Sequence, residues 1–308
     1  MLNDWYAEQA RDLPWRRPSA SPWAILVSEV MLQQTPVARV EPVWRTWLQR
    51  WPTPADLAAE PSGEAVRAWG RLGYPRRALR LHACATVITR QHDGEIPRAV
   101  ADLLTLPGVG DYTAAAVAAF AFGQRTAVVD TNVRRVLARA LTGRALPASS
   151  LTARETALAW RALPADRDVS VRWNVAVMEL GALICTARSP ACPRCPVRDR
   201  CAWFAAGSPA YDGPPRPGQA WNGTDRQCRG RLLQVLREHD GAVPSDLLNA
   251  AWRQDTVQRD RCLAALVDEG LIQRSSTPQP GTPPGTTQQS APQDQRAQGA
   301  DWYGFAVT

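Results

Sequence analysis

Apolar residues recur at helical spacing along the first two hundred positions, in short segments separated by Pro and Gly. One segment begins at Pro22, and Ser21 before it completes a pair typical of a helix cap and first turn. Further helices are predicted at residues 36–50, 54–59, 62–72, 76–91, 97–105, 111–122, 132–142, 151–162 and 171–184. Alternation with a period of two residues is never sustained long enough to predict a sheet. This part of the chain is therefore predicted to be all-α.

The pattern changes after residue 206. Residues 207–225 are rich in Gly, Pro and polar side chains, which predicts a linker. Residues 226–308 contain three helical segments and then two strand-like apolar runs, predicted at residues 229–239, 244–252, 258–269, 271–274 and 302–307. This order favours a small winged-helix-like unit, with a helical extension and a frayed tail as the alternative. Residues 275–300, full of Pro, Gln, Thr and Gly, are predicted to form a disordered loop.

Charge and composition narrow the class of protein. The formal net charge is +7, and all 36 basic residues are arginine. Without lysine, no ε-amine can serve as Schiff-base nucleophile, general base or phosphate ligand. The positive charge favours an acidic partner such as nucleic acid, although a basic protein with solvated arginines would show the same count. No apolar run approaches the ~18 residues of a membrane span, no signal peptide is visible, and seven cysteines favour a reducing compartment. We expect a cytoplasmic protein that is not associated with a membrane.

Four of the cysteines form a closely spaced run, Cys185-x6-Cys192-x2-Cys195-x5-Cys201. Four thiolates in one short loop suit a 4Fe–4S cluster. The alternatives are a zinc site and unligated cysteines, but zinc sites usually combine two short-spaced pairs, and only one Cys-x2-Cys pair occurs here. The run therefore predicts a 4Fe–4S cluster. The three remaining cysteines are predicted to be apolar packing residues: Cys84, Cys228 and Cys262.

Two glycines lie between the predicted helices at 97–105 and 111–122, in the sequence Leu-Pro-Gly-Val-Gly. Gly108 and Gly110 allow a tight turn and a close approach of a partner to the backbone. The helix that follows offers free N–H groups to an anion. The pattern predicts a helix–hairpin–helix that grips the DNA backbone, with a plain connecting turn as the alternative.

Two carboxylates have sequence surroundings that suit catalysis. Glu29 lies on a mostly apolar helical face, which should raise its pKa and suit a general acid; the alternative is a helix-edge Glu paired with an arginine. Asp130 follows two valines and precedes a helix, so it is a candidate N-cap. Its carboxylate is also a candidate to face a developing positive charge, and the two roles are compatible.

These four features, in this order, resemble the helix–hairpin–helix DNA glycosylases that carry an iron–sulfur loop, over roughly residues 4–202. Residues 28–35, 72–74 and 178–182 are similar to the adenine DNA glycosylase (MutY-type) family. Tyr112 stands where the endonuclease III branch has lysine. The resemblance therefore implies monofunctional base excision without lyase chemistry, and the absence of lysine favours the same conclusion.

The resemblance also implies a substrate and roles for individual residues. The substrate would be double-stranded DNA with adenine opposite 8-oxoguanine or guanine. Glu29 would protonate the adenine, Asp130 would stabilise the sugar cation, and Tyr112 and Asn132 would position these carboxylates. Gln34 and Tyr74 would wedge into the base stack, while Thr35 and Leu72 would meet the opposite base. The residues implied to contact DNA are Gln33, Gln34, Thr35, Leu72, Tyr74, Gly108 and Gly110.

The resemblance further implies a domain organisation. Residues 1–206 would form the catalytic region, with a six-helix domain at about 22–124 and an iron–sulfur domain from 1–21 and 125–206. Residues 226–308 lack the pattern of the Nudix-like domain found in full-length members, as in short members of actinobacterial type, which leaves the preference for 8-oxoguanine open. A monomer is expected. Two alternatives remain, a thymine or uracil mismatch glycosylase of the same fold and a non-enzymatic iron–sulfur DNA-binding regulator.

Overall fold

The computed structural model describes residues 1–214, 218, 220–277 and 301–307. In chain order its helices are α1 (Leu2–Gln9), α2 (Pro22–Leu32), α3 (Val37–Arg50), α4 (Pro54–Ala58), α5 (Ser62–Ala68), α6 (Arg76–Gln91), α7 (Val100–Leu103), α8 (Asp111–Phe122), α9 (Thr131–Thr142), α10 (Ala153–Ala162), α11 (Arg167–Leu183), α12 (Ala202–Ala205), α13 (Asp225–Arg237), α14 (Ser245–Ala251) and α15 (Thr256–Asp268). The strands are β1 (Val243–Pro244), β2 (Ile272–Ser275) and β3 (Trp302–Phe305). Within these ranges no helix is both long and apolar enough to cross a membrane.

The chain divides into two compact units. One contains Met1–Glu29 with Ile96–Arg216, and the other contains Val30–Glu95 with Pro217–Thr308. Both are therefore built from segments that are distant in sequence. This grouping differs from the expected boundaries at residues 22–124 and 125–206, which stay a prediction. The expected linker at 207–225 overlaps α13 by one residue, since Asp225 begins that helix.

In the first unit, α9 and α11 pack against each other around a buried aliphatic core. Each begins with an aspartate cap: Asp130 accepts a hydrogen bond from Val133 N at 2.6 Å, and Asp166 accepts one from Val169 N at 2.8 Å. The two helices approach closely because α11 has Gly181 at the contact. A Cβ atom there would lie 2.6 Å from Asn132 Cβ. The core residues include Val133, Leu137, Ala159, Val177 and Leu180.

Helix α8 is surrounded by protein because its side chains are small and apolar. Residues 113–119, five of them alanines, are all buried. Gly108, with φ 79°, forms the turn before the helix, and Gly123, with φ 61°, ends it. The helix and its preceding turn therefore have the form that the two-glycine pattern predicted.

In the second unit, three tryptophans form the centre of the core of α3–α6. Trp47, Trp51 and Trp69 are each at most 1% exposed. The Trp47 ring makes T-shaped contacts with the other two rings, and its centroid lies 4.6 Å from that of Trp51 and 5.7 Å from that of Trp69. The predicted helix at 62–72 ends at Ala68, because Gly70 adopts a left-handed conformation with φ 56°.

The C-terminal segment of the second unit confirms the winged-helix-like prediction. Its elements follow the order α13, β1, α14, α15, β2, β3, and the antiparallel sheet has the strand order β1-β3-β2. Tyr303 on the central strand pairs with Val243 on one side and Arg274 on the other. Ser275 ends β2 and pairs with Trp302, so the loop predicted from residue 275 begins after it. Residues 278–300 of that loop lie outside the described residues.

This segment is joined to α5 by polar contacts. Gly63 N donates to Ala306 O at 2.9 Å, and a Cβ on Gly63 would lie 2.3 Å from that oxygen. The Arg67 guanidinium donates to the carbonyls of Leu236 and His239, both at 3.0 Å, and lies over the Phe305 ring. The winged-helix-like segment is therefore docked on α5 through a glycine and an arginine.

Three elements were not predicted, and each has a physical reason. Helix α12 has only four residues, Ala202–Ala205, which is too short to show a helical period. Helix α1 has no fully buried residue, so it leaves little apolar periodicity in the sequence. Strand β1 has two residues, one of them Pro244, and proline is a poor strand signal. The segment predicted at 97–105 is helical only over Val100–Leu103. The overall class, mainly α with a small sheet, is as predicted.

Candidate functional site

Glu29 is a buried acid on the apolar helix α2. Its side chain is 5% exposed, and Leu26 and Val27 beside it are fully buried. Burial raises its pKa to about 7, and the nearby Asp130 charge adds to the rise. A hydrogen bond from Tyr112 and the charge of Arg16 act in the opposite direction. At neutral pH the carboxyl is therefore partly protonated, as a general acid requires.

Tyr112 is placed against Glu29 by the first turn of α8. Its hydroxyl donates to Glu29 Oε2 at 2.7 Å. Burial and the two neighbouring carboxylates raise the Tyr112 pKa well above its usual range. The phenol therefore stays protonated and acts as a donor that fixes the direction of the Glu29 carboxyl group.

Asp130 is the N-cap of α9, so the structural role foreseen for it is present. Besides the Val133 N–H, it accepts a hydrogen bond from Asn132 Nδ2 at 2.8 Å. Burial raises the Asp130 pKa, while these two hydrogen bonds and the charge of Arg135 oppose the rise. One carboxylate oxygen is bound by each donor, so the group is held in one orientation next to Glu29 and Tyr112, whose pKa values it influences.

A chain of hydrogen bonds joins Asp130 to the cysteine loop. Asn132, which donates to Asp130, accepts from Arg135 Nη2 at 2.8 Å. Arg135 also donates to Gly181 O at 2.6 Å and to Cys185 O at 2.7 Å. The position of the aspartate is thus coupled to the start of the cysteine loop through two side chains.

The four predicted cysteine ligands, Cys185, Cys192, Cys195 and Cys201, are partly buried and line one cavity. Among the residues that the structure describes, no three His, Cys, Asp or Glu side chains are grouped to hold a single metal ion.

The surroundings of this cavity suit an anionic cluster. Arg139, which is buried, donates to Cys185 Sγ at 3.4 Å and supplies positive charge beside the thiols. Burial raises the pKa of Cys195 to about 11, so a bound metal is needed to keep that group as a thiolate. The residues present therefore fit a 4Fe–4S cluster. Cys84, Cys228 and Cys262 are buried, as predicted for packing residues.

The predicted DNA contacts fall into an exposed set and a buried set. Gln34 and Tyr74 are exposed, Tyr74 by 39%, and both have positive φ, 56° and 48°. Thr35 and Leu72 are buried against each other, with Thr35 Oγ1 donating to Leu72 O at 3.0 Å. Gln33 is partly buried.

The two hairpin glycines, Gly108 and Gly110, are exposed, and no atom lies within 4 Å of the position of a Cβ on Gly110. The structure brings Glu29, Tyr112, Asp130 and Asn132 together in the first unit. The predicted contacts at residues 33–35 and 72–74 belong to the second unit.

Three site residues were not found from the sequence. Arg16, whose charge lowers the Glu29 pKa, also donates to the buried Glu179 at 2.9 Å. Arg135 donates to Asn132 Oδ1, and Gly181 packs against the Cβ atom of Asn132. No signal in the sequence distinguishes Arg16 and Arg135 from the other arginines among the 36, because the partners of an arginine are set by tertiary packing. Gly181 does carry a signal, since a glycine inside a helix often marks a close packing contact.

Two protein families match parts of the chain. The HhH-GPD superfamily base excision DNA repair protein family matches residues 27–162. The iron–sulfur binding domain of endonuclease III matches residues 185–201, which begin and end on predicted ligands. The second match confirms the predicted 4Fe–4S cofactor.

Curated relatives extend the match over most of the chain. The adenine DNA glycosylase of Mycobacterium tuberculosis is 55% identical over 88% of this chain and 88% of its own length. That of Mycolicibacterium smegmatis is 51% identical over 89% of this chain and 92% of its own length. The human adenine DNA glycosylase is 43% identical over 65% of this chain and 38% of its own length.

Solved structures agree on the fold. A thermostable thymine-DNA glycosylase is similar with a TM-score of 0.60 and 29% identity, covering 67% of this chain and 94% of its own. Endonuclease III in a trapped covalent intermediate with DNA has a TM-score of 0.57 and 26% identity. The match covers 67% of this chain and 95% of the endonuclease III chain. The helix–hairpin–helix glycosylase fold is therefore confirmed. Among the glycosylases of this fold, the mycobacterial adenine DNA glycosylases match this chain with high identity over most of its length. The chain belongs to the adenine DNA glycosylase family.

Proposed function

We propose that the chain hydrolyses the N-glycosidic bond of adenine that lies opposite 8-oxoguanine or guanine in double-stranded DNA, as a monofunctional glycosylase. The observation that carries this proposal is the buried Glu29 carboxyl, with a pKa of about 7 and the Tyr112 hydroxyl bound at 2.7 Å. An acid that is partly protonated at neutral pH suits a purine, whose ring N7 accepts a proton. A pyrimidine has no such atom, so the thymine or uracil alternative leaves this acid unexplained.

The first step requires adenine outside the duplex, because its glycosidic bond is inaccessible inside the base stack. Glu29 then donates its proton to adenine N7, which makes the base a better leaving group. Tyr112 holds the Glu29 carboxyl in one orientation during the transfer. After the bond breaks, the electrons of the C–N bond remain with the protonated base, which leaves as neutral adenine.

Asp130 serves the second half of the reaction. Bond cleavage leaves an oxocarbenium-like sugar, and a fixed carboxylate nearby stabilises this positive charge. Asn132 Nδ2 and Val133 N–H keep the carboxylate oriented, and their hydrogen bonds favour its ionised form. Water adds to the sugar and its proton goes to Glu29, which is then restored to its acid form.

We assign the four cysteines of the loop as the ligands of the 4Fe–4S cluster. When bound, the cluster supplies a covalent crosslink of the loop, and no step of base excision needs electrons from it. Arg139 holds the loop from inside by donating to Thr186 O at 2.7 Å and Ala187 O at 3.1 Å. Gly108 and Gly110, exposed ahead of α8, are assigned to the DNA backbone.

A glycosylase assay on four duplexes tests the proposal. The duplexes contain A:8-oxoguanine, A:G, T:G and U:G, and each reaction is analysed with and without alkali. Adenine release with strand breaks only after alkali is the expected result, because no lysine is present to cleave the abasic product. Release of thymine or uracil would overturn the proposal in favour of the mismatch glycosylase. Binding without release of any base would favour the non-enzymatic regulator.

A further inference from the structure

Arg77 is a buried arginine of the second unit that lies on the first turn of α6, is 7% exposed and makes six hydrogen bonds. Its Nη1 donates to the carbonyls of Val30, Met31 and Gln33 at 2.8, 3.2 and 2.6 Å. Its Nη2 donates to Thr35 Oγ1 at 3.0 Å and to the carbonyls of Leu72 and Gly73 at 3.4 and 3.1 Å. One guanidinium group thus joins the end of α2 to the turn before α6.

All six acceptors are neutral oxygens. A buried cation is costly unless its donors are bonded, and the four N–H groups of Nη1 and Nη2 share these six oxygens, while Nε has no partner among the described residues. Turning the oxygens away would leave the charge uncompensated. The planar fork of arginine can reach two segments at once, which a single ammonium group cannot do. The guanidinium also lies over the Trp69 ring at 5.2 Å and the Tyr74 ring at 5.6 Å. Arg77 therefore contacts both segments at once, beside two further hydrogen bonds there, from Thr35 Oγ1 to Leu72 O at 3.0 Å and from Trp69 Nε1 to Gly73 O at 2.9 Å.

Two of the acceptors immediately precede strained residues. Gln33 O belongs to the peptide that enters Gln34, with φ 56°, and Gly73 O belongs to the peptide that enters Tyr74, with φ 48°. Rotation of either peptide plane changes the φ angle of the residue that follows it. Side chains other than glycine rarely adopt such angles, and they persist where the surrounding structure enforces them. Arg77 holds both peptides in the orientation that these angles need.

We propose that Arg77 is the positioning residue that fixes the exposed side chains of Gln34 and Tyr74 in one geometry for insertion into the base stack. The inference rests on the proposed function, which assigns the wedge role to these two residues. A wedge must enter the duplex as the adenine leaves it, so small displacements of either side chain should slow extrusion. Contacts with the DNA backbone do not depend on this geometry, and affinity for duplex DNA should change little.

Two substitutions at this position test the inference, with Arg80→Met on the same helix as the matched control. Arg77→Lys keeps a positive charge but cannot bind both segments, and Arg77→Met keeps the volume without the charge. Arg80 is exposed, so its substitution leaves the interior contacts intact. Circular dichroism and the visible absorption of the cluster confirm that each variant is folded and loaded. Measurements are made well below the melting temperature, so that a general loss of stability does not affect them.

The first readout is amide hydrogen exchange of residues 33–35 and 72–74, which reports the two segments without any substrate. Faster exchange in both segments is expected for Arg77→Lys and Arg77→Met, but not for Arg80→Met. Unchanged exchange in both Arg77 variants would overturn the inference. This readout does not depend on whether the protein excises adenine.

The second readout is the extrusion of adenine from the duplex, which is monitored by the fluorescence of 2-aminopurine placed beside the adenine. Single-turnover excision and affinity for duplex DNA are measured in parallel. Wedge misplacement is expected to slow extrusion and excision by about 10- to 100-fold, with affinity for duplex DNA changed by less than about threefold. Equal extrusion by wild type and both Arg77 variants would overturn the inference. A wild-type protein that neither extrudes nor releases adenine would instead overturn the proposed function.

Discussion

The pKa of Glu29 gives a prediction at the scale of one residue. Because burial raises this pKa to about 7, the proton that the adenine needs is lost as the pH rises through that value. Asp130 must be ionised, so its protonation should slow the reaction at lower pH. Single-turnover excision is therefore expected to follow a bell-shaped pH profile whose alkaline limb falls near pH 7. A rate that stays constant from pH 6 to pH 9 would contradict the assignment of Glu29 as the acid.

The raised pKa of Glu29 also predicts that this residue lowers the stability of the folded protein above about pH 7, although excision requires it. In the unfolded chain it has its ordinary pKa of 4.5, so the folded state binds the proton more tightly. Folded stability therefore falls as the pH rises from about 4.5 to about 7 and stays lowered above that. Glu29→Gln should abolish excision and raise the free energy of unfolding at pH 8 by up to about 3 kcal/mol.

Denaturant unfolding at two pH values checks this prediction. The gain should be present at pH 8 and nearly absent at pH 4.5, where Glu29 is protonated in both states. Glu8→Gln, at an exposed position of α1, is the matched control and should change neither stability nor excision. A Glu29→Gln variant less stable than wild type at pH 8 would contradict this prediction, because the ionised Glu29 would then stabilise the fold.

Individual residues also show how far the sequence could be interpreted. The apolar face around Glu29 predicted its burial and raised pKa, because helical spacing fixes which side chains are its neighbours. The valines and the helix after Asp130 predicted its N-cap. Arg77 and Arg135 gave no such signal, since a long arginine reaches partners 46 or 50 positions away in sequence. Their roles depend on tertiary structure.

At the scale of elements, the contact between α9 and α11 supports the site. Gly181 lies against Asn132, and an added methyl group would overlap its side chain. Gly181→Ala should therefore displace Asn132 from Asp130, slow excision, and destabilise the protein by about 1–3 kcal/mol. Thermal unfolding and single-turnover excision measure the two effects.

The control for this substitution is Gly230→Ala, a helix-interior glycine of α13 with nothing within 4 Å of the added group. That change should be neutral or stabilising, because alanine favours the helix. If Gly181→Ala is equally neutral, the two helices can move apart and the packing does not set the position of Asn132.

Elements differ in how clearly the sequence predicts them. Helices such as α8 and α9 are bounded by glycine or an aspartate cap, so the sequence shows both their apolar pattern and the residues that start and end them. Strand β3 was predicted from an apolar run, whereas β1 could not be, because two residues carry no periodicity. Its existence depends on pairing with β3, which is a non-local interaction.

At the scale of the whole chain, the docking of the winged-helix-like segment depends on Gly63. Gly63→Val should push Ala306 and Phe305 away from α5 and accelerate amide exchange in β3 and in α5. The cysteine loop belongs to the other compact unit, so its exchange is expected to stay the same. Gly230→Ala again serves as the control. Unchanged exchange in β3 would contradict the docking role of this glycine.

The arrangement of the second unit has a consequence during synthesis. Its helices α3–α6 are made early, but β3 and Ala306, which complete the sheet and contact α5, follow about 200 residues later. At roughly 5–20 residues per second, the ribosome needs about 10–40 s to reach them. During that interval the apolar surface that will contact Phe305 and Ala306 has no partner from its own chain. The nascent chain is therefore expected to recruit chaperones at this stage, and a ribosome stalled before residue 302 should carry a protease-sensitive α5.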